Sequence, residues 1–153
     1  MSERSIDALH PRVAQMCRNH IENCRANGIN IIITSTYRSP EEQDQLYAIG
    51  RTKPGRKVTN ANAGQSMHNY RLAYDVVPLR HGKPVWGTSG NGIDKDPSDD
   101  MRDDLELWQR VGELGKAAGL EWAGDWKRFR EFPHFQWTGG LTLKDLQAGK
   151  RPS

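Results

Sequence analysis

The sequence predicts an α+β domain in which helices flank a small antiparallel sheet. Three observations lead there. Two stretches repeat apolar residues at three- and four-residue steps, short β-branched or apolar runs stand apart from them, and the strict βαβ alternation of a parallel sheet is missing. The 153 residues suffice for one domain with one core, expected over about residues 5–150.

The elements follow in order. Ile6, Leu9, Val13, Met16, Cys17, His20, Ile21 and Cys24 line one face of a helix that Asn27-Gly28 ends as a left-handed cap. Ile29 to Thr36 is β-branched except at Asn30 and Ser35 and predicts a buried strand. Ser39-Pro40-Glu41-Glu42 opens a second helix with a capping hydroxyl, a proline in the first turn and acids at the positive end of the dipole. That helix is expected to reach Ile49, where Gly50 stops it. Arg51 to Gln65 has no apolar period and reads as a long ordered loop, a kind that is often functional. Ala73 to Leu79 is a strand with Pro78 near its end, and His81-Gly82 a turn into Pro84-Val85-Trp86. Thr88 to Asp100 is polar and glycine-rich, a second loop. Leu105, Trp108, Val111, Leu114 and Ala118 mark a third helix capped by Gly119. Leu120–Trp122 and His134–Trp137 are short strands around a Gly124-Asp125-Trp126 turn, and Thr142-Leu-Lys-Asp145 is a capping box for a final short helix.

Composition narrows the function classes. Hydrophobic residues are 35% of the chain, below the roughly 45–50% of ordinary domains even after allowing for the glycines counted in that figure, so a small core with long polar loops is expected. The net charge of +3 suits an acidic partner such as an anionic wall, membrane surface or nucleic acid. No basic run is interleaved with aromatics, which argues against nucleic acid. Cys17 and Cys24 are the only cysteines; seven residues apart on a helix they stand roughly 10 Å apart along its axis, beyond disulfide reach. Free thiols favour synthesis in a reducing compartment. Met-Ser-Glu-Arg-Ser-Ile-Asp carries no apolar signal region, and no run has the length of a transmembrane helix. Synthesis in the cytoplasm without stable membrane insertion is the expectation.

Two fragments carry candidate chemistry: Ser66-Met-His68-Asn-Tyr-Arg-Leu-Ala-Tyr-Asp75 and Glu131-Phe-Pro-His134-Phe-Gln136. Two imidazoles and a carboxylate make three metal ligands and leave a fourth tetrahedral position for water, the mark of a catalytic zinc. Glu131 is then a candidate base for that water. Spacing alone leaves other readings open. His68 and Asp75 would face opposite sides of one continuous strand, so they share an ion only if His68 lies on the loop before it. Without that bend they are a surface histidine and a strand-end aspartate. Glu131 and His134 likewise need a kink at Pro133; otherwise Glu131 is a solvated edge carboxylate. His10 and His20 on the first helix and His81 at a turn have no matching carboxylate and read as packing or surface residues.

The pattern Ser66-x-His68-x(6)-Asp75 with Glu131-x-x-His134 resembles the zinc peptidases of the VanY and D-Ala-D-Ala dipeptidase type, which share a fold with the hedgehog signalling domain. Thr34-Ser-Thr-Tyr-Arg38-Ser-Pro-Glu-Glu-Gln43-Asp-Gln-Leu-Tyr47, Gly50-Arg-Thr-Lys-Pro-Gly55, Val58-Thr-Asn60, Gly64-Gln-Ser66, Gly119-Leu-Glu-Trp122, Gly124-Asp125-Trp126 and Pro133-His134-Phe-Gln136 look like the L-alanyl-D-glutamate endopeptidase branch, as in phage endolysins. The resemblance implies one Zn²⁺ held by His68, Asp75 and His134, Glu131 as acid–base, and Arg38 in the groove to stabilise developing charge. It makes Ser66 and Gln43 candidate substrate or supporting contacts; the alternatives are a salt bridge for Arg38 and helix packing for Gln43. It further implies a peptidoglycan stem peptide as substrate, a monomer, and action on the wall after release from the cytoplasm, with no separate wall-binding domain. A D,D- or L,D-carboxypeptidase is the neighbouring reading, and a non-catalytic zinc-containing wall-binding module a third. The chain departs from the family twice. Arg71 stands where the family usually has glycine; arginine would be strained there if the position requires positive φ, and otherwise the loop accepts a side chain that adds a cation near the groove. Glu131 stands where the endopeptidases often have aspartate.

Overall fold

A computed structural model describes residues 3–57, 59, 61–86, 97–127 and 131–152. Among the described residues, five strands form one antiparallel sheet: β1 (Asn30–Ser35), β2 (Ala73–Arg80), β3 (Lys83–Pro84), β4 (Glu121–Trp122) and β5 (His134–Gln136). Their order is β1-β2-β5-β4, with β3 paired to the end of β2. The helices are α1 (Pro11–Ala26), α2 (Pro40–Ala48), α3 (Pro97–Ala117) and α4 (Leu143–Gln147). The α+β class with a small antiparallel sheet is as the sequence predicts.

Local chemistry explains the boundaries. The first helix starts later than its apolar pattern suggests: Ile6–Ala8 is a separate 3₁₀ turn capped by Ser5. Pro11 takes the first position of α1 and holds His10 extended, and the His10 side chain accepts from the Arg12 N–H at 3.2 Å. β1 differs from the expected buried strand. It lies at the sheet edge, exposed on alternate residues, and Ile32 is 44% accessible. β2 continues two residues past Pro78. The Pro78 carbonyl accepts from Val85 N–H, so the ring nitrogen, on the same side, faces away from β1 and costs no β1 bond. His81 and Gly82, both at positive φ, close the two-residue hairpin into β3. The predicted loop over 88–100 falls mainly outside the described residues; its last four, 97–100, belong to α3. Val58 and Asn60 of the sequence motif also lie outside them.

Side-chain alternation splits the sheet into two faces. Tyr74, Phe135 and Trp122 stand in register on neighbouring strands and their rings stack nearly parallel. This row faces α1 and α3 and forms the core with Val13, Cys17, Val76 and Val111. α3 reaches it through two glycines: a Cβ at Gly112 would meet Trp122 at 2.3 Å, and one at Gly115 would meet Phe135 at 2.4 Å. The small residues let the helix backbone lie directly on the aromatic row. Cys17 and Cys24 are buried free thiols, as expected, and burial pushes them up to about 12 and about 11. His20 is also buried among these groups, bonded to the Tyr74 hydroxyl at 2.7 Å and the Val111 carbonyl at 2.9 Å. Burial lowers its pKa to about 4. Among the described residues no helix is long and apolar enough to cross a membrane.

Candidate metal centre

The opposite face of the sheet carries the polar groups. Asp75 pairs with His134 across β2 and β5, Ala73 with Gln136, and Gln136 with Glu121 across β5 and β4. His68 joins them from the 3₁₀ turn Met67–Tyr70, which supplies the bend its spacing to Asp75 requires. One donor atom from each of His68, Asp75 and His134 lies within 4.8 Å of the others. The Asp75 Oδ1 is 3.2 Å from both His68 Nε2 and His134 Nδ1.

The chemistry of these donors fits a metal ion. His68 Nδ1 faces the Thr36 carbonyl at 2.8 Å, an acceptor only, so Nδ1 carries the proton and Nε2 offers its lone pair inward. His134 Nε2 faces the Gln136 Oε1 at 2.8 Å, which leaves its Nδ1 lone pair inward as well. Three electron-rich atoms therefore converge with their outer partners already in place, an arrangement that a cation reconciles. Charge also ties these groups together. Burial works to raise the Asp75 pKa, but the charge of His68 and the hydrogen bonds to both imidazoles outweigh it and hold the carboxyl well below its usual range. Burial works to lower His134; the hydrogen bond and charge of Asp75, with Glu131, prevail and raise it.

Glu131 lies at the rim. The chain turns between Glu131 and His134, whose N–H donates to the Glu131 carbonyl at 3.4 Å. The turn brings Glu131 Oε2 to 3.9 Å from His134 Nδ1 while leaving the carboxylate 55% exposed. It is held from behind: Trp122 Nε1 donates to the Phe132 carbonyl at 2.8 Å, and Val76 N–H to the Pro133 carbonyl at 3.0 Å.

Arg38 lies past the end of β1 and lines the same groove, a cavity of about 590 Å³ that also includes Ser66, Trp126 and Phe132. Its Nη1 donates to Gln43 Oε1 at 3.0 Å, and its backbone N–H to the His68 carbonyl at 3.1 Å. Gln43 is fully buried in α2, and its amide nitrogen donates to the Ala61 carbonyl at 2.7 Å. Both ends of that side chain are thus engaged, between Arg38 and Ala61. The Ser66 hydroxyl caps the Met67–Tyr70 turn by accepting from His68 N–H at 3.2 Å. Arg71 does sit at positive φ, 65°, but adds no cation to the groove. Its guanidinium bonds the Ala8 carbonyl at 2.7 Å and stacks 4.0 Å from the Tyr37 ring centre.

Several supporting residues escaped the sequence reading. Asn69 accepts from Gly64 and Ser66 N–H and donates to the Arg38 carbonyl, joining turn, loop and strand end. Its place three residues after a capping serine is a sequence signal. Gln136, two residues after His134, shares its strand face by the same rule of alternation. The Thr36 carbonyl has no side-chain signature at all.

Three residues that could hold a metal ion, with a carboxylate at the rim of their groove on an antiparallel sheet, suit a metallopeptidase, and the comparisons give that class of protein. A family profile described as D-alanyl-D-alanine carboxypeptidase matches residues 59–137. The peptidoglycan L-alanyl-D-glutamate endopeptidase CwlK of Bacillus subtilis (strain 168) is 42% identical over 130 residues, spanning 84% of this chain and 72% of the relative. The chain belongs to this D-alanyl-D-alanine carboxypeptidase family of peptidases. The L-alanyl-D-glutamate peptidase of Listeria phage A118 is 26% identical over 136 residues, 86% of this chain but 39% of the phage protein. Among solved structures, the Serratia marcescens L-Ala D-Glu endopeptidase ChiX superposes with a TM-score of 0.61 at 19% identity, covering 95% of this chain and 92% of ChiX. The vancomycin-resistance D,D-pentapeptidase VanY, solved with Zn(II), gives 0.55 at 18% identity, covering 94% and 80%.

Proposed function

We propose that the chain is a zinc-dependent peptidase that hydrolyses the L-alanyl–D-glutamate bond of peptidoglycan stem peptides. The observation that carries the reading is the convergence of His68, Asp75 and His134 in one groove with the exposed Glu131 carboxylate beside them. The 42% identical Bacillus endopeptidase supports the choice of bond.

These three side chains would hold zinc, which would supply Lewis acidity and bring the pKa of water to about 7. Thr36 and Gln136 fix the imidazoles so that their lone pairs stay aimed inward. Glu131, exposed at the rim to solvent and substrate, takes the proton of the attacking water and delivers it to the leaving amine. Arg38, held by Gln43, presents a cation to the oxygen that gains charge, or to a substrate carboxylate. Ser66 lines the wall of the groove beside His68. One chain carries every residue of this site, so a monomer suffices.

We further propose a role in lysis, as an endolysin acting on the wall after release from the cytoplasm; a phage peptidase among the relatives supports the phage connection alone. Digestion of purified peptidoglycan, with and without chelator, tests the proposal. Mass spectrometry is expected to find new α-amino ends on D-glutamate, lost with chelator and restored by zinc. Release of terminal D-alanine instead would make the chain a carboxypeptidase, and unchanged muropeptides would make it a binding module. Glu131→Ala is expected to lower kcat by about 10²–10⁴-fold with zinc still bound, whereas His134→Ala loses the ion.

A further inference from the structure

His134 is tied to the sheet edge by a two-step chain of hydrogen bonds. Its Nε2 meets Gln136 Oε1 at 2.8 Å, and Gln136 Nε2 meets Glu121 Oε2 at 2.9 Å. Gln136 is 8% exposed and sits across from Ala73 and Glu121 in register. A carboxamide presents an acceptor at one end and donors at the other, and a flip exchanges them. A carboxylate only accepts. Glu121 therefore draws the NH₂ end of Gln136 toward itself and leaves the oxygen facing His134, which must then carry its proton on Nε2.

We propose that Glu121 and Gln136 form a positioning pair that sets the protonation pattern of His134: the surface carboxylate orients the buried amide, and the amide keeps the Nδ1 lone pair free for the metal. Resting on the metal-centre reading above, the proposal assigns a role to Glu121, which does not line the groove and lies on a different strand from any ligand. Its sign is specific. A group at position 121 that only donates turns the amide over and sets NH₂ against Nε2–H. The metal-bound form then loses its outer hydrogen bond and gains a donor–donor clash. Loss of such an outer partner typically costs about 10–100-fold in metal affinity.

The experiment uses the full chain in three forms: unaltered, Glu121→Lys, and Glu121→Lys combined with Gln136→Glu. Glu121 is exposed, so the first exchange leaves the core intact. Zinc affinity is measured by competition with a chromophoric chelator. In parallel, ¹⁵N-histidine NMR of the zinc-loaded protein follows exchange of the His134 Nε2 proton with water. Glu121→Lys is expected to weaken zinc about 10–100-fold and to leave that proton exposed to rapid exchange. In the double variant the new carboxylate at 136 accepts from both the lysine and His134, so affinity and proton protection return together. A change of charge alone would shift affinity without moving the proton's protection, and that outcome overturns the proposal. So does zinc affinity within twofold of the unaltered chain in Glu121→Lys. An unaltered chain that takes up no zinc instead sinks the metal-centre reading itself.

Discussion

Arg71 shows how a single side chain can satisfy a position that glycine fills more easily. The left-handed conformation costs an L-residue roughly 1–2 kcal/mol, and here the guanidinium offsets it by stacking on Tyr37 and bonding the Ala8 carbonyl. Because the side chain turns away from the groove, Arg71→Gly is expected to leave kcat/KM within twofold of the parent. Its stability, followed by urea unfolding, should change by no more than about 1 kcal/mol, since relief of strain and loss of contacts oppose each other. Residue types at the site were legible in the sequence, because few side chains offer a metal a lone pair at neutral pH. Their geometry was legible only as a condition. The spacing of His68 and Asp75 demanded a bend, and the capped turn at Met67–Tyr70 meets it through Ser66 and Asn69. Gln43 could be read as groove or packing from its helix alone; only the loop folded over α2 shows both ends of its amide engaged.

At the level of elements, α3 and the aromatic row define how tightly the layers close. Gly115→Ala would drive a methyl group into Phe135, and Gly112→Ala one into Trp122. Overpacking of this kind costs typically 1–3 kcal/mol, so each variant should lower the urea midpoint by that equivalent. Gly112→Ala should also reduce activity, because Trp122 holds the Phe132 carbonyl ahead of His134. The same interface contains a pH dependence of stability. His20 is buried neutral with a pKa near 4, below its ordinary 6.5, so the folded state binds its proton less readily than the unfolded state. Its contribution is fully present above pH 6.5 and is lost as pH falls toward 4, by on the order of 3 kcal/mol at one pKa unit per 1.36 kcal/mol. Comparing His20→Gln with the parent in chelator, at pH 7 and pH 4.5, isolates this slope; the variant should show a shallower decline. Helix and strand positions were readable from periodicity and caps, as at Ser39 and Thr142. What periodicity could not show was the edge position of β1, which is set by pairing partners distant in sequence, or the late start of α1, which Pro11 sets by holding His10 extended whatever the apolar period.

For the molecule as a whole, ion binding is expected to add to folding stability by mass action. Saturation to 1,000 times Kd is worth about 4 kcal/mol, so calorimetry should find a Tm that rises with free zinc and falls with chelator, and no such response in His134→Ala. The ligands' positions along the chain give this coupling a further meaning. His68 and Asp75 are neighbours in sequence, but His134 is 59 residues beyond Asp75, and the chain between them includes β3, α3 and β4. An ion shared across β2 and β5 thus closes a long covalent circuit in a protein whose two cysteines are buried, free and unpaired. Closing loops of that size removes more freedom from the unfolded chain than closing short ones. The ion would then act as a reversible cross-link, holding β5 in the one register that turns His134 toward the groove, and the protein could be unstitched at that seam by withdrawing a single atom.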